Sequence, residues 1–394
     1  MEKFLSERIK RVQPSQTLVI TARANELKAQ GHNIISFGAG EPDFDTPDFV
    51  KEACIKALKE GKTKYTPSAG IPELRSKLAE SINELHGTDY KASEVVVSTG
   101  AKMGLYEIFA IILNEGDEVI IPSPYWVSYT EQIKLCDGKP VIVETSEEDG
   151  FVLKAEQLEK AITPKTKALV LNTPSNPTGA VIPKEELEKI AEICLKHDIL
   201  IISDECYDRF CYEREHVSIT SLGKEVRDRT FLVNAFSKSY SMTGWRLGWV
   251  ACREEFAKKL AIFQSQTISN PTSFAQYGGI AALEDKWQFP EMMKKEFKKR
   301  RDYIYNAFKE IEGISVAKPE GAFYIFPNIS AYIDGEKIKN DIDFTTYLLE
   351  EAKVAVVPGS AFGKEGYIRM SYATSMDNII EGMNRIKEAL KKLK

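Results

Sequence analysis

Short, continuous apolar runs alternate along the middle of the chain with stretches whose apolar residues recur every three or four positions. The runs at 95–98, 118–121, 140–144, 168–172, 200–203, 231–234 and 249–252 are short, often β-branched and apolar on consecutive positions. That pattern predicts strands buried on both faces. Between them, 102–113 places Leu105, Ile108, Phe109 and Ile112 on one helical face, and 184–197 does the same with Leu187, Ile190, Ala191 and Cys194. Strand and helix in repeated alternation predict an α/β fold with a mainly parallel sheet covered by helices.

The two ends read differently. Residues 1–45 begin with a charged helical stretch and pass into the Gly/Pro-punctuated "NIISFGAGEPDFDTP". Beyond about residue 285 come Lys- and Glu-rich helical patterns, the short strand candidates "GAFYIFPNI" and "YIRMSYA", and a final amphipathic helix from Met376. The expected organisation is a large α/β domain over 46–285 and a smaller α+β domain made from 1–45 and 286–394. No internal repeat or low-complexity segment interrupts this.

Composition narrows the classes. The chain has 394 residues, enough for a large core without covalent staples. With 53 basic and 58 acidic residues the formal charge is -5, which gives no electrostatic case for nucleic acid or an anionic membrane. The 6 cysteines form no C-x-x-C pair, and the 4 histidines, His32, His86, His197 and His216, lack metal-ligand spacing. Free thiols, histidines in packing or surface roles and no metal are expected. The charged start "MEKFLSERIKRV" does not suit a signal peptide, and no apolar run reaches the roughly 18 residues of a membrane span, so the expected location is cytoplasmic.

In open α/β sheets ligands bind beyond the carboxyl ends of the strands, so unusual residues there carry the most information. "STGAKMG" turns from a strand into a helix at Gly100 and Ala101, which suits a phosphate on free N–H groups or simply a tight turn. "SDECYDRF" places Asp204 after an apolar strand, as a helix N-cap or as a counter-charge for a protonated ring nitrogen, with Tyr207 near the same place. "PSNPTG" offers Asn176 either as turn chemistry or as an amide donor, and "SPYWVSY" offers Trp126 as core or as a face for a flat ring. "NAFSKSYSMTGWRLGWV" places Lys238 among hydroxyls at a strand end, with Ser237 before it and Arg246 eight residues on. A Schiff-base lysine needs a partly dry or cationic setting that lowers its pKa, and an arginine fork suits a phosphate. A surface lysine and a structural arginine are the alternative, against which the other strand-end signals argue jointly.

The motifs "AGEPDFDTP", "KYTPSAGIPELR", "SPYWVSY", "PSNPTGAV", "SDECY", "SKSYSMTGWRLGW" and "GAFYIFP" together resemble the class I/II pyridoxal-phosphate-dependent aminotransferases of fold type I. The likeness runs from "QPSQT" to "YIRMSYATS", and is strongest to the bacterial and archaeal aspartate aminotransferase branch.

The resemblance implies roles residue by residue. Lys238 resembles the lysine that bonds the cofactor and then moves protons. Asp204 would hold the pyridinium nitrogen protonated, Tyr207 and Asn176 would hydrogen-bond the ring 3-oxygen, and Trp126 would stack on the ring. Gly100, Ala101, Ser237 and Arg246 would bind the phosphate. Tyr65 resembles a tyrosine that reaches the neighbouring subunit's phosphate, implying a homodimer with shared sites. Arg369, with the Gly40 backbone nearby, resembles the clamp on the substrate α-carboxylate.

For the second carboxylate of an acidic substrate, Lys102 after "STGA" matches a lysine of that branch beside the cofactor, and Ser15 and Thr17 match hydroxyls that fold over the substrate. A cation in the first turn opposes the helix dipole unless an anion is recruited, whereas a solvated lysine is the plainer reading. The expected reaction is reversible transfer of the amino group of L-aspartate to 2-oxoglutarate, with ping-pong kinetics. Gln13 stands where some prephenate-accepting relatives carry a basic residue. The alternatives are a prephenate, aromatic, alanine or broad-range aminotransferase, a carbon–sulfur lyase, and a non-catalytic cofactor-binding regulator. The last needs an added DNA-binding domain, for which 45 leading residues and a negative charge are unsuited.

Overall fold

The computed structural model describes residues 2–393. A seven-stranded sheet forms its centre. In chain order its strands are β1 (Val95–Ser98), β2 (Glu118–Ser123), β3 (Lys139–Glu144), β4 (Thr166–Asn172), β5 (Leu200–Asp204), β6 (Thr230–Ala235) and β7 (Gly248–Ala251). Across the sheet they lie in the order β1-β7-β6-β5-β4-β2-β3. β7 runs antiparallel to β1 and β6, and the remaining pairs are parallel. Every strand predicted from the apolar runs is present, with ends displaced by at most two residues.

Side chains alternate between the two faces of a strand, so a sheet covered on both sides needs apolar residues at every position. Val119, Ile121, Ala168, Val170 and Ile202 face one side, where Leu105, Ile108, Phe109 and Ile112 of helix Ala101–Ile112 meet them. Ile120, Leu169, Leu171 and Ile201 face the other, against Leu187, Ile190, Ala191 and Cys194 of helix Lys184–Lys196. Leu105, Ile108 and Phe109 have no exposed surface, and each such burial stabilises by about 1.5–3 kcal/mol.

Residues from the two ends of the chain meet. Ile35–Ser36 pairs in parallel with Val354–Ala355, and Tyr324–Ile325, Ile368–Ser371 and Val357–Pro358 form a small antiparallel sheet. The strand candidates at both places are shorter than their apolar runs, because Phe326 and Tyr372 pack as loop residues. Helices Gln288–Lys309 and Met376–Lys391 cover this part, the latter starting where its pattern begins. Its core includes Cys206, Tyr207 and Phe210 just beyond β5, and Ala235 at the end of β6. The terminal segments therefore rest on the carboxyl ends of the central strands. All 6 cysteines are free, four buried and Cys54 and Cys136 partly exposed. Among the described residues no helix is long and apolar enough to cross a membrane.

Candidate active site

Asn172 at the end of β4, Asp204 at the end of β5, Ala235 at the end of β6 and Ala101 beyond β1 open onto one cavity of about 310 Å³. A cleft of about 370 Å³ lies elsewhere, beside residues 147–154. Within it Arg214 pairs with Glu320 and Lys154 with Asp149.

Lys238 lies in the short helix Phe236–Ser239 that follows β6. Its Nζ donates to the Gly40 carbonyl oxygen at 2.5 Å, which ties the strand end to the "AGEPDF" loop. Burial pushes its pKa down to about 8, aided by Arg369 and Arg246 and opposed by Cys206 and Glu41. The amine is therefore partly neutral near physiological pH, as a nucleophilic or proton-moving lysine requires.

Asp204 is the last residue of β5, followed by a turn and not by a helix, so the N-cap alternative does not apply. Its Oδ2 accepts from the Tyr129 hydroxyl at 2.7 Å and its Oδ1 from the Cys206 N–H at 3.2 Å. Burial raises its pKa, and these donors work against that rise. The Tyr207 hydroxyl shares a hydrogen bond with the Tyr324 hydroxyl at 2.8 Å. Trp126 packs edge-on against Tyr129, with ring centroids 5.4 Å apart.

Gly100 begins helix Ala101–Ile112 with φ +76, a conformation that L side chains rarely adopt. A Cβ there would fall 2.6 Å from Nη2 of Arg246. The guanidinium thus lies against the helix N-terminus, where free N–H groups and Ser237 share the cavity. Arg246 donates from Nη1 to the Thr243 carbonyl oxygen at 2.8 Å. An arginine, a hydroxyl and a helix N-terminus converging in this way form a cradle for an anion.

Arg369 extends from Ile368–Ser371 and is 2% exposed. Nη2 donates to the Gly38 carbonyl oxygen at 2.7 Å and Nη1 to Asn176 Oδ1 at 3.0 Å. The guanidinium carbon sits 4.6 Å from the Tyr324 ring centroid and 4.8 Å from that of Phe362. Its Nε is buried without a hydrogen-bond partner. A fixed, buried cation with an unused donor is prepared for a carboxylate.

Lys102 holds its Nζ 4.8 Å from the Trp126 ring centroid. Among the described residues no carboxylate pairs with it, and burial followed by Arg246 lowers its pKa. Ser15 and Thr17 line the same cavity, and the Thr17 hydroxyl is buried without a partner. The segment that carries them is held to the central part by Gln13 N–H to Glu131 Oε2 at 2.8 Å and by Arg8 to Asp137 at 2.7 Å.

Of the predicted site residues, Tyr65 stands apart: it is 89% exposed and lines no part of this chain's own cavity. Gly100 touches the cavity through Arg246, and the rest line it directly. Tyr129, Tyr324, Cys206 and Thr243 also line it and were not singled out from the sequence. Tyr129 and Tyr324 lie inside the motifs "SPYWVSY" and "GAFYIFP", so a signal was present without a role. Lys102, Lys238, Arg246 and Arg369 face the single lining carboxylate of Asp204, an excess of positive charge that selects anionic ligands.

Residues 32–386 match the family described as aminotransferase class I and II. A probable aspartate/prephenate aminotransferase of Aquifex aeolicus is 56% identical over 100% of both chains. The aspartate aminotransferase of Bacillus subtilis is 50% identical over 98% of this chain and 99% of its own. The solved aspartate aminotransferase of Thermus thermophilus with maleate superposes with a TM-score of 0.94 at 42% identity, covering 98% of this chain and 99% of that one. With this fold, this site at its strand ends and these relatives, the chain belongs to the class I and II aminotransferases and is an enzyme of fold type I.

Proposed function

We propose that the protein is a pyridoxal-5′-phosphate-dependent aspartate aminotransferase. It moves the amino group of L-aspartate to 2-oxoglutarate, giving oxaloacetate and L-glutamate by a ping-pong mechanism. The observation that carries this reading is a cavity with two cations awaiting anions, Arg369 with an unused buried Nε and Lys102 without a carboxylate partner. A substrate with two carboxylates suits both.

The residues fit the cofactor. Gly100, Ala101, Ser237 and Arg246 form the anion cradle for its phosphate, and the space Gly100 leaves is filled by the Arg246 guanidinium. When bound, pyridoxal phosphate supplies the carbonyl that captures the amino group and the electron-accepting ring. Asp204, steadied by Tyr129 and the Cys206 N–H, would accept a hydrogen bond from the ring nitrogen. Tyr207 and Asn176 would donate to the ring oxygen, and Trp126 would cover a ring face. Lys238 holds or releases a proton at Nζ, and its pKa of about 8 suits both directions near neutral pH. Arg369 clamps the α-carboxylate and sets the Cα–H bond toward Lys238, near the Gly40 carbonyl. Lys102, with Ser15 and Thr17, meets the distal carboxylate.

Tyr65, exposed here, is assigned to the site of a second copy in a homodimer. Residues 46–285 and the two terminal segments 1–45 and 286–394 are assigned to two domains with the cavity between them, and the location to the cytoplasm. Aspartate is taken as the donor ahead of prephenate, because Gln13 stands where some prephenate-accepting relatives carry a basic residue. The test is steady-state transamination with each donor. Turnover of aspartate with 2-oxoglutarate in a parallel-line kinetic pattern is expected, and a preference for alanine or phenylalanine by 10-fold or more, about 1.4 kcal/mol, would contradict it.

A further inference from the structure

On the face of β5 opposite Asp204 lies a buried ion pair that the chemistry above does not use. Glu205 has no exposed surface. Its Oε1 accepts from Ser203 Oγ at 2.7 Å and from Ser218 Oγ at 2.8 Å. Its Oε2 meets Nε2 of His216 at 2.6 Å, and the His216 side chain is 7% exposed. Strand alternation explains the placement, since Ser203 and Glu205 point to one side and Asp204 to the other. His216 arrives from the loop beyond β5. His86, the last residue of helix Pro72–His86, packs edge-on against it at 6.0 Å between ring centroids. Asp208, Arg209, Cys211 and Tyr90 are further charged or titratable groups around the pair.

Burial opposes charge on His216, but the Glu205 carboxylate, aided by Cys211, prevails and pushes the imidazolium up to about 10. Burial likewise opposes charge on Glu205, and His216 holds its carboxyl below the ordinary range. Both partners are therefore charged at neutral pH. Glu205 is the neighbour of Asp204 and acts to raise its proton affinity. Without a cation behind it, Glu205 would be a second uncompensated anion one residue from the cofactor's counter-charge.

We propose that Glu205 and His216 are positioning residues for the site: the pair pins the loop beyond β5 behind Asp204 and Tyr207, and His216 confines the charge of Glu205 so that Asp204 alone acts on the ring nitrogen. This rests on the reading of Asp204 given above.

The test has two readouts. The first is imidazole NMR of histidine-labelled, cofactor-free protein across a pH titration. One histidine is expected to stay charged beyond pH 8, about 1.5 units above the free value, and His216→Gln removes that resonance. Ordinary midpoints for every histidine would overturn the ion pair.

The second is the pH profile of the visible absorption of the cofactor-loaded enzyme. In His216→Gln the uncompensated Glu205 favours protonated states in the site. The profile is expected to move to higher pH by about half a unit or more, a threefold change in proton affinity. The double variant Glu205→Gln/His216→Gln carries no pair charge and is expected to return it toward wild type. A structural role alone would lower the melting temperature of both variants without that return. Profiles that coincide in wild type and His216→Gln, or a double variant displaced further than the single one, would overturn the proposal. If His216→Gln does not fold, Glu205→Gln takes its place in the NMR titration, where the His216 midpoint must fall by about 2 units or more. A wild-type protein that takes up no cofactor would instead overturn the reading of Asp204, while the histidine titration still reports on the pair.

Discussion

The two cationic ends of the cavity are built differently. Arg369 is 2% exposed, held by the Gly38 carbonyl and Asn176, and packed between the rings of Tyr324 and Phe362. The Lys102 carbonyl accepts from Gln132 Nε2 at 2.7 Å, but among the described residues its ammonium meets only the Trp126 ring. The rigid end offers a planar fork to a group that every amino acid shares. The softer end offers a point charge to a group that only some substrates have. Preorganisation is thus concentrated where the reacting Cα must be oriented, and adaptability where specificity is read.

Substitutions can break this contrast. Lys238→Ala removes the group that both ends serve, and transamination is expected to fall by about 10⁴-fold or more with every donor. Product formation over hours measures it. Arg369→Lys keeps the charge but loses the fork. A lost charge-assisted hydrogen bond of about 1.5–3 kcal/mol predicts a drop in kcat/KM on the order of 10- to 100-fold, alike for aspartate, alanine and phenylalanine. Lys102→Ala sharpens the comparison: kcat/KM for aspartate is expected to fall by roughly 10-fold, mostly through KM, while alanine is nearly unaffected. A uniform loss across donors would remove the distinction between the ends.

Smaller effects concern protons. Cofactor uptake by the cofactor-free protein needs a neutral Lys238, so its rate is expected to rise with pH around a midpoint near 8. Stopped-flow absorbance follows it. For His216, the folded pKa of about 10 lies above the ordinary value, so its stabilisation is complete below about pH 6.5 and is lost as pH rises through about 10. The melting-temperature advantage of wild type over Glu205→Gln/His216→Gln is therefore expected to shrink across that window.

The central sheet was legible because strands covered on both faces must be apolar at consecutive positions, as in Ala168, Leu169, Val170 and Leu171. Strand ends were not, since Pro122 and Ser123 extend β2 through pairing with Val143 and Glu144, which composition does not signal. Lys238, Arg246 and Asp204 were legible as polar residues in apolar or hydroxyl-rich settings. Their partners were not. Lys238 meets Gly40 across 198 residues, and Arg369 meets Asn176 across 193. Such contacts depend on the terminal segments folding onto the strand ends. His216 was read only as packing or surface, because its pairing with Glu205 depends on the path of the loop between them.

The most direct measurement is the near-ultraviolet and visible spectrum of the purified enzyme before and after L-aspartate, with L-alanine and L-phenylalanine in parallel. The account predicts a cofactor band that aspartate converts to that of the amine form faster than either other donor, and that 2-oxoglutarate restores. A band left unchanged by aspartate but converted by another donor would contradict the role of Lys102, and the absence of any band after added pyridoxal phosphate would contradict the role of Lys238.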